Sequence, residues 1–137
     1  LDTLVGKLVA HLAKEGDRDN TLIVFTGDNG TLPAITSDLN GRAYKGGKGK
    51  TSTAGTHVPL IANWPGKAKA GAVCDDLIDF TDVFPTLLDA AGVPPPAGVT
   101  LDGRSFLPQV RGETGTPRDA IFNHYEPRHG KAGTKER

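Results

Sequence analysis

The sequence has little of several features that mark specialised classes of protein. It contains a single cysteine, Cys74, so no disulfide can form within the chain. No apolar run approaches the roughly 20 residues that a membrane-spanning helix needs, and no signal peptide is recognisable. Basic and acidic residues number 16 each, which makes the formal net charge zero. This balance predicts neither a nucleic-acid partner nor a membrane partner.

Methionine is absent, and the chain begins inside a helical pattern. We therefore expect the natural N-terminus to lie upstream. Glycine (18 residues) and proline (10 residues) are abundant, whereas apolar residues make up a modest 36%. This composition is typical of a part of a larger α/β enzyme, in which long active-site loops connect few core elements.

The first half of the chain is predicted to contain one helix, two buried strands and a long loop between the strands. Apolar residues spaced three and four apart from Leu1 to Leu12 predict an amphipathic helix that ends at Gly16. The continuous apolar run at 21–26 predicts a buried strand, more typical of a parallel sheet than of an edge. No periodicity is visible from about 31 to 50, which predicts a long loop. A second buried strand is predicted at 58–63, with Pro59 at its start.

The second half contains one clear helix. Residues 82–91 carry an apolar face, Thr81 can cap them, and Gly92 can end them in the left-handed conformation. Short strands are predicted at 77–80 and 120–125, and one helical turn at 105–110. The order of helix, short loop and strand at 1–26 is half of a βαβ unit, which indicates the α/β class.

Asp28 and Asn29 form the first candidate site. They directly follow the predicted strand at 21–26, and open α/β sheets bind ligands beyond the carboxyl ends of their strands. A carboxylate and an amide carbonyl are hard oxygen donors that suit Ca²⁺ or Mg²⁺. Gly27 and Gly30 allow the backbone to bend so that both side chains can converge. The same residues are also typical of an ordinary turn, and taken alone the segment leaves both interpretations open.

The second candidate is the segment 44–51, in which glycines surround Lys45, Lys48 and Lys50. Glycines expose backbone N–H groups, and an ammonium group stabilises negative charge on oxygen. The end of the segment matches a phosphate-binding P-loop, but Tyr44 stands where that motif requires its first glycine. The alternative is a flexible, solvated basic loop.

Two single residues complete the candidates. His57 precedes the strand predicted at 58–63 and could bind a ligand, shuttle a proton or donate an orienting hydrogen bond, or be structural. Cys74 is expected to be buried as a small apolar residue, with a reactive thiol as the alternative.

The order and spacing of these segments together resemble the sulfatase family. The first three are Thr-Leu-Ile-Val-Phe-Thr-Gly-Asp28-Asn29-Gly, then Gly-Gly-Lys48-Gly-Lys-Thr, then Ala-Gly-Thr-His57-Val-Pro-Leu-Ile-Ala-Asn-Trp-Pro-Gly66. They are followed by Asp79-Phe-Thr-Asp82-Val-Phe-Pro-Thr-Leu-Leu-Asp-Ala-Ala-Gly92 and by Leu101-Asp-Gly-Arg-Ser-Phe-Leu-Pro108. Each segment is unspecific alone, but their common order is specific. The resemblance runs from residue 1 to about residue 110, with a weaker similarity to residue 128.

The resemblance implies the alkaline-phosphatase-like α/β fold, a mixed and mainly parallel sheet flanked by helices. Residues 1–112 would form the C-terminal part of the catalytic domain, and residues 113–137 would begin a smaller C-terminal subdomain or tail. The implied activity is hydrolysis of sulfate esters by a formylglycine nucleophile and a divalent metal ion, Ca²⁺ rather than Mg²⁺. The implied substrate is a sulfate-ester small molecule or a sulfated glycan. Members of the family are often exported, which suggests a periplasmic or secreted location.

The resemblance also assigns roles to residues. Asp28 and Asn29 match the family's later pair of metal ligands, and Lys48 matches the lysine that contacts the sulfate, as a catalytic and substrate-binding residue. His57 is expected to line the substrate pocket, where many members carry arginine. Cys74 is followed by Asp-Asp-Leu, so it does not lie in the motif from which formylglycine is formed.

The residues for the nucleophile and for the first metal ligands are therefore expected upstream. We expect this chain alone neither to hydrolyse sulfate esters nor to bind Ca²⁺ tightly, since two oxygen donors cannot replace the usual 6–8 ligands. Without upstream partner strands, the strand at 21–26 would expose apolar surface, which predicts association into oligomers.

Two other functions stay open. A phosphodiesterase or phosphonate-ester hydrolase of the same superfamily would use the same metal and Lys48, because sulfate and phosphate esters are nearly isosteric. A non-catalytic binding domain derived from such an enzyme would explain the absent nucleophile.

Overall fold

Four α-helices and four β-strands lie along residues 1–125, the part of the chain that the computed structural model describes. The helices are α1 (Asp2–Glu15), α2 (Thr53–Thr56), α3 (Val83–Ala91) and α4 (Leu107–Val110), and 3₁₀ turns lie at Arg18–Asn20 and Phe80–Asp82. The strands are β1 (Ile23–Thr26), β2 (Thr36–Leu39), β3 (Arg42–Lys45) and β4 (Leu60–Asn63). Residues 126–137 of the tail predicted at 113–137 lie outside the described residues, and the boundary of the tail stays a prediction.

The described residues divide into two compact units. The first unit comprises Leu1–Phe25 and Ile61–Ile121, and the second comprises Thr26–Leu60 together with the described residues from Phe122 onward. Most of β1 and β4 belongs to the first unit, where the two strands are neighbours in a two-stranded sheet. The second unit contains the β2–β3 hairpin and α2.

The two long helices confirm the predictions made from apolar spacing. Gly16 ends α1 with φ of 82°, and Gly92 ends α3 with φ of 67°, both in the left-handed region that glycine adopts without a steric cost. The cap predicted at Thr81 is wrong. Asp79 accepts a hydrogen bond from the Thr81 N–H, and Asp82 accepts one from the Asp79 N–H, so the two aspartates form a capping box.

Strands β1 and β4 form within the two predicted apolar runs, but neither strand is fully buried and each begins later than predicted. The 3₁₀ turn at Arg18–Asn20 delays β1, since the Thr21 hydroxyl hydrogen-bonds back to the Asp17 carbonyl oxygen at 2.8 Å. Pro59 precedes β4, as expected for a residue that has no N–H to donate to the sheet.

Two predicted strands do not form. Residues 77–79 lead instead into the 3₁₀ turn at Phe80–Asp82, because the capping box folds this stretch back on itself. Residues 120–125 have no regular secondary structure, and Phe122 is 89% exposed. Their apolar side chains therefore do not pack as part of a sheet. The single helical turn predicted at 105–110 is present as α4.

The loop predicted from 31 to 50 contains an antiparallel hairpin. Strands β2 and β3 pair with Thr36 opposite Lys45 and Leu39 opposite Arg42. Asn40 and Gly41 make the turn with φ of 54° and 77°, the conformation that an Asn-Gly hairpin turn requires. The Asp38 carboxylate accepts a hydrogen bond of 2.9 Å from the Gly41 N–H, which stabilises this turn.

The first unit has a small core around a buried carboxylate. Asp82 is only 2% exposed and accepts hydrogen bonds from the Arg118 guanidinium, the Arg104 N–H and the Asp79 N–H. The hydroxyl of Thr86, also buried, donates to the Asp82 carbonyl oxygen and accepts from the Phe106 N–H. This network joins the segment before α3 to the segment before α4, which are far apart in sequence.

Apolar surface is left open elsewhere in the first unit. None of the residues of α1 is buried, Leu1 is 80% exposed, and β1 is only half-buried, so the expectation that the strand at 21–26 leaves apolar surface open is confirmed. A groove of about 490 Å³ lies between α1 and the strands. Cys74 is exposed, so its predicted burial is wrong. Within residues 1–125, no helix is long and apolar enough to cross a membrane.

Candidate functional site

The turn that carries Asp28 and Asn29 begins directly after β1 and belongs to the second unit. The Asp28 side chain is exposed and Asn29 is half-buried. The Gly30 N–H donates a hydrogen bond of 2.9 Å to the Gly55 carbonyl oxygen. This bond ties the Asp28–Asn29 turn to the segment that immediately precedes His57.

Lys48 lies on a second segment that is bound to the same turn. The Lys48 N–H donates a hydrogen bond of 2.9 Å to the Thr31 carbonyl oxygen, and the Gly46 N–H donates one of 2.9 Å to Ile35. Gly46 and Gly47 are buried, whereas Lys48 is exposed. The segment therefore packs through its glycines and leaves the lysine side chain accessible.

The third segment is α2, a single helical turn that ends immediately before His57. The Ser52 carbonyl oxygen accepts hydrogen bonds from the Gly55 and Thr56 N–H groups at 2.7 and 3.1 Å, and the His57 N–H donates to the Thr53 carbonyl oxygen at 2.9 Å. The His57 side chain is exposed.

Glycines allow these three segments to meet backbone to backbone. A Cβ atom at Gly30 would overlap the Ala54 carbonyl, and one at Gly55 would overlap the Lys50 and Gly47 carbonyl oxygens. A Cβ atom at Gly47 would stand 2.8 Å from the Ala54 Cβ, closer than real Cβ atoms approach. The structure thus brings the segments of all four predicted site residues into one cluster of loops, although their individual roles stay predictions.

Gly55→Ala is expected to destabilise the whole protein by about 1–3 kcal/mol or more, because the new methyl group collides with two carbonyl oxygens that cannot move independently. Gly6→Ala is the matched control, since Gly6 lies in α1 with open space around it, and a gain of about 0.5–1 kcal/mol is expected there. Thermal unfolding measures both. An equal change in melting temperature for the two variants would contradict the close packing at Gly55.

The donor chemistry of the cluster suits a hard divalent cation. Asp28 offers a carboxylate and Asn29 an amide oxygen, the ligand types that Ca²⁺ and Mg²⁺ prefer. Among residues 1–125, no group of three or more His, Cys, Asp and Glu side chains is arranged to hold a metal. Asp28 and Asn29 would thus supply only two of the 6–8 oxygen ligands that calcium usually takes.

One residue near the cluster was not predicted as part of it. A Cβ atom at Gly49 would lie 3.5 Å from the Tyr125 hydroxyl oxygen, so Tyr125 approaches the glycine–lysine segment from far along the chain. The sequence around Tyr125 does not indicate this contact. It predicts a strand at 120–125, and a predicted strand does not show which loop its last residue would approach.

The sequence pattern that defines the family called Sulfatase matches residues 1–93. The chain belongs to the sulfatase family. Residues 1–93 include all three loop segments described above, so the cluster lies within the matched region.

Curated relatives of this sulfatase chain agree with that membership. It is 44% identical over 111 residues to the uncharacterised sulfatase YdeN of Escherichia coli, which covers 81% of this chain and 20% of the relative. It is 37% identical over 124 residues to human arylsulfatase A, covering 89% of this chain and 24% of the relative. The chain thus spans about a fifth to a quarter of the length of these relatives.

Solved structures resemble this sulfatase chain in fold. The sulfatase PsFucS1 from Pseudoalteromonas sp. superposes with a TM-score of 0.67 at 35% identity, over 85% of this chain and 24% of the other. BT4656, solved in complex with its substrate D-glucosamine-2-N,6-O-disulfate, gives a TM-score of 0.70 at 31% identity. The match covers 93% of this chain and 25% of the BT4656 chain. A phosphonate monoester hydrolase from Silicibacter pomeroyi gives a TM-score of 0.64 at 38% identity. The match covers 88% of this chain and 21% of the hydrolase chain. The fold is therefore the predicted alkaline-phosphatase-like α/β fold.

Proposed function

We propose that the protein carrying this chain hydrolyses sulfate esters, and that the Asp28–Asn29, Lys48 and His57 segments form part of its active site. The observation that supports the proposal is the backbone packing of the three segments, with Gly30 bonded to Gly55 and Lys48 bonded to Thr31. A sulfatase sequence match alone would leave these segments free to lie apart. Their proximity is what a shared site for one ester group requires.

The residues of this chain would act mainly by electrostatics. Asp28 would bind a calcium ion with its carboxylate, and Asn29 would bind it without adding charge, so that the site stays cationic enough for a sulfate group. When bound, the calcium ion supplies a fixed positive charge that polarises the sulfate oxygens. Lys48 would donate a charged hydrogen bond to a sulfate oxygen, where negative charge gathers as the ester bond breaks. A formylglycine, expected outside this chain, would supply the nucleophile.

A sulfated sugar or another small sulfate ester is the substrate class that we propose. The structural neighbour BT4656 holds a disulfated glucosamine as its substrate. The hairpin and loop segment of this chain are cationic, with Arg42, Lys45, Lys48 and Lys50 against a single acid, Asp38, between residues 36 and 51. This excess of positive charge favours an anionic ligand.

A phosphonate-ester hydrolase is the second candidate, because a phosphonate monoester hydrolase is 38% identical to this chain in the compared region. The two functions separate in one assay of the whole protein with p-nitrophenyl sulfate and p-nitrophenyl phenylphosphonate. We expect the higher kcat/KM for the sulfate ester. A higher value for the phosphonate would favour the second candidate, and turnover of neither would favour the non-catalytic binding domain.

Asp28→Asn in the whole protein is expected to weaken calcium binding by at least about tenfold, because the substitution removes a ligand charge from the ion. Isothermal titration with CaCl₂ measures the affinity, and activity after EDTA treatment should return with Ca²⁺ better than with Mg²⁺. Asp38→Asn is the matched control, since Asp38 lies in β2 and its turn bond to Gly41 needs only a side-chain acceptor. If both variants bind calcium as the natural protein does, Asp28 is not a ligand.

A further inference from the structure

The β2–β3 hairpin has two chemically different faces. In an antiparallel pair, opposed residues point to the same side and successive residues alternate. The register therefore places Ser37, Leu39, Arg42 and Tyr44 on one face and Thr36, Asp38, Ala43 and Lys45 on the other. All eight residues are exposed, with Leu39 at 54% and Tyr44 at 40%. We call the first group the Tyr44 face.

Tyr44 lies four residues before Lys48 in the chain. Strand β3 runs directly into the segment that carries Lys48, and four residues of chain span at most about 14 Å. The Gly46 N–H is bonded to the Ile35 carbonyl oxygen, and the Lys48 N–H to that of Thr31. These bonds join the two ends of the hairpin at its base, so the hairpin begins at the segment that carries Lys48, and Tyr44 lies within about 14 Å of Lys48.

The chemistry of the Tyr44 face matches an anionic ring. Tyr44 and Leu39 offer exposed apolar surface, and an aromatic ring gives a large, rigid contact at a low cost in side-chain entropy. Arg42 offers a planar fork of N–H donors, which suits the oxygens of a sulfate group. The only acid of the hairpin, Asp38, lies on the opposite face, so the Tyr44 face is purely cationic.

We propose that the Tyr44 face is a specificity subsite for multiply sulfated sugars: Tyr44 packs against the sugar ring, and Arg42 binds a second sulfate while the first lies at Lys48. The proposal rests on the proposed function. It assigns Arg42 and Tyr44 to substrate selection, since neither is needed for the chemistry at the reacting sulfate.

The test compares two sugars on the whole protein, glucosamine 2-N,6-O-disulfate and glucosamine 6-O-sulfate. Arg42→Gln is expected to raise KM and Kd for the disulfate about two- to fivefold, which is the range for the loss of an exposed ion pair. KM and Kd for the monosulfate should not change. The kcat of this variant should not change. Tyr44→Ala should raise KM for both sugars about two- to tenfold, whereas Tyr44→Phe should retain the natural value.

Lys45→Gln is the matched control, because it removes the same charge from the opposite face of the same strand. Equal effects of Arg42→Gln and Lys45→Gln would overturn the subsite, since they would indicate a general loss of charge. Absence of measurable binding of either sugar to the natural protein would overturn it as well.

Failure of the subsite is distinguishable from failure of the proposed function. Binding of inorganic sulfate by the natural protein and by Lys48→Ala provides the separate readout. If Lys48→Ala loses sulfate binding but Arg42→Gln keeps the discrimination between the two sugars, only the subsite is wrong. If Lys48→Ala binds sulfate as the natural protein does, the proposed site itself is wrong.

Discussion

Lys48→Ala in the whole protein is expected to reduce kcat/KM for a sulfate ester by about 10²–10³, the typical loss when one charged contact to a developing oxyanion is removed. The expectation follows from the position of Lys48, whose N–H is fixed to the turn beyond Asp28 and Asn29 while its side chain is exposed. Because the contact strengthens as charge gathers on the sulfate oxygens, kcat should fall more than KM rises. Steady-state hydrolysis of p-nitrophenyl sulfate measures both parameters.

Lys50→Ala is the matched control for this experiment. Lys50 carries the same charge two residues further on, and its N–H donates to the Gly47 carbonyl oxygen at 2.9 Å. Alanine preserves that backbone bond, so kcat/KM should fall by less than about fivefold, as expected for the loss of an exposed charge. Equal losses for the two lysines would show that the segment acts through its total charge, and the assignment of Lys48 would be wrong.

Asp82→Ala is expected to produce the largest loss of stability, about 3–5 kcal/mol in the free energy of unfolding, because it leaves the Arg118 guanidinium without its partner in a part-buried position. The Asp82 carboxylate also accepts the N–H groups of Arg104 and Asp79 at 2.7 and 2.8 Å, and both would lose that acceptor. Urea denaturation of the whole protein measures the change. Asp89→Ala is the control, since Asp89 is exposed and its carboxylate accepts a hydrogen bond from the Ser105 hydroxyl, with no arginine partner within residues 1–125.

The same network predicts how this part of the stability depends on pH. Burial of Asp82 favours its neutral form, but the Arg118 hydrogen bond, the two N–H groups and the Arg118 charge together outweigh burial and hold the pKa of Asp82 below its ordinary value. A lowered pKa contributes stability that is complete above the unfolded value of about 4 and is lost as the pH falls through the folded value. The stability difference between the natural protein and Asp82→Ala should therefore shrink below about pH 4. A constant difference down to pH 2 would contradict this origin.

The elements that could be predicted from sequence are those with a complete local signal. Helices α1 and α3 show apolar spacing and a glycine at the end, and strands β1 and β4 are short apolar runs bounded by turn residues. Asp28 and Asn29 could be placed beyond a strand end by the same reasoning. The cluster of the three segments could not be derived from any one of them, and only their order suggested it.

The features that the sequence did not predict either depend on contacts between distant residues or have a weak pattern of apolar residues. The β2–β3 hairpin has the strong Asn40-Gly41 turn signal, but its strands are polar and exposed on both faces, so no alternation of apolar residues marks them. The Asp82 network joins residues 36 positions apart, a pairing that no local pattern encodes. Cys74 was expected to be buried because free cysteines usually are, but the stretch around it is exposed.

The most direct test is a crystal structure of the whole protein with calcium and sulfate bound. We expect the metal within about 2.3–2.6 Å of an Asp28 carboxylate oxygen and the Asn29 amide oxygen. The Lys48 ammonium nitrogen should lie about 2.7–2.9 Å from an oxygen of a sulfate that shares the metal. A metal bound elsewhere, or a sulfate out of reach of Lys48, would contradict the claim that these three side chains serve one site.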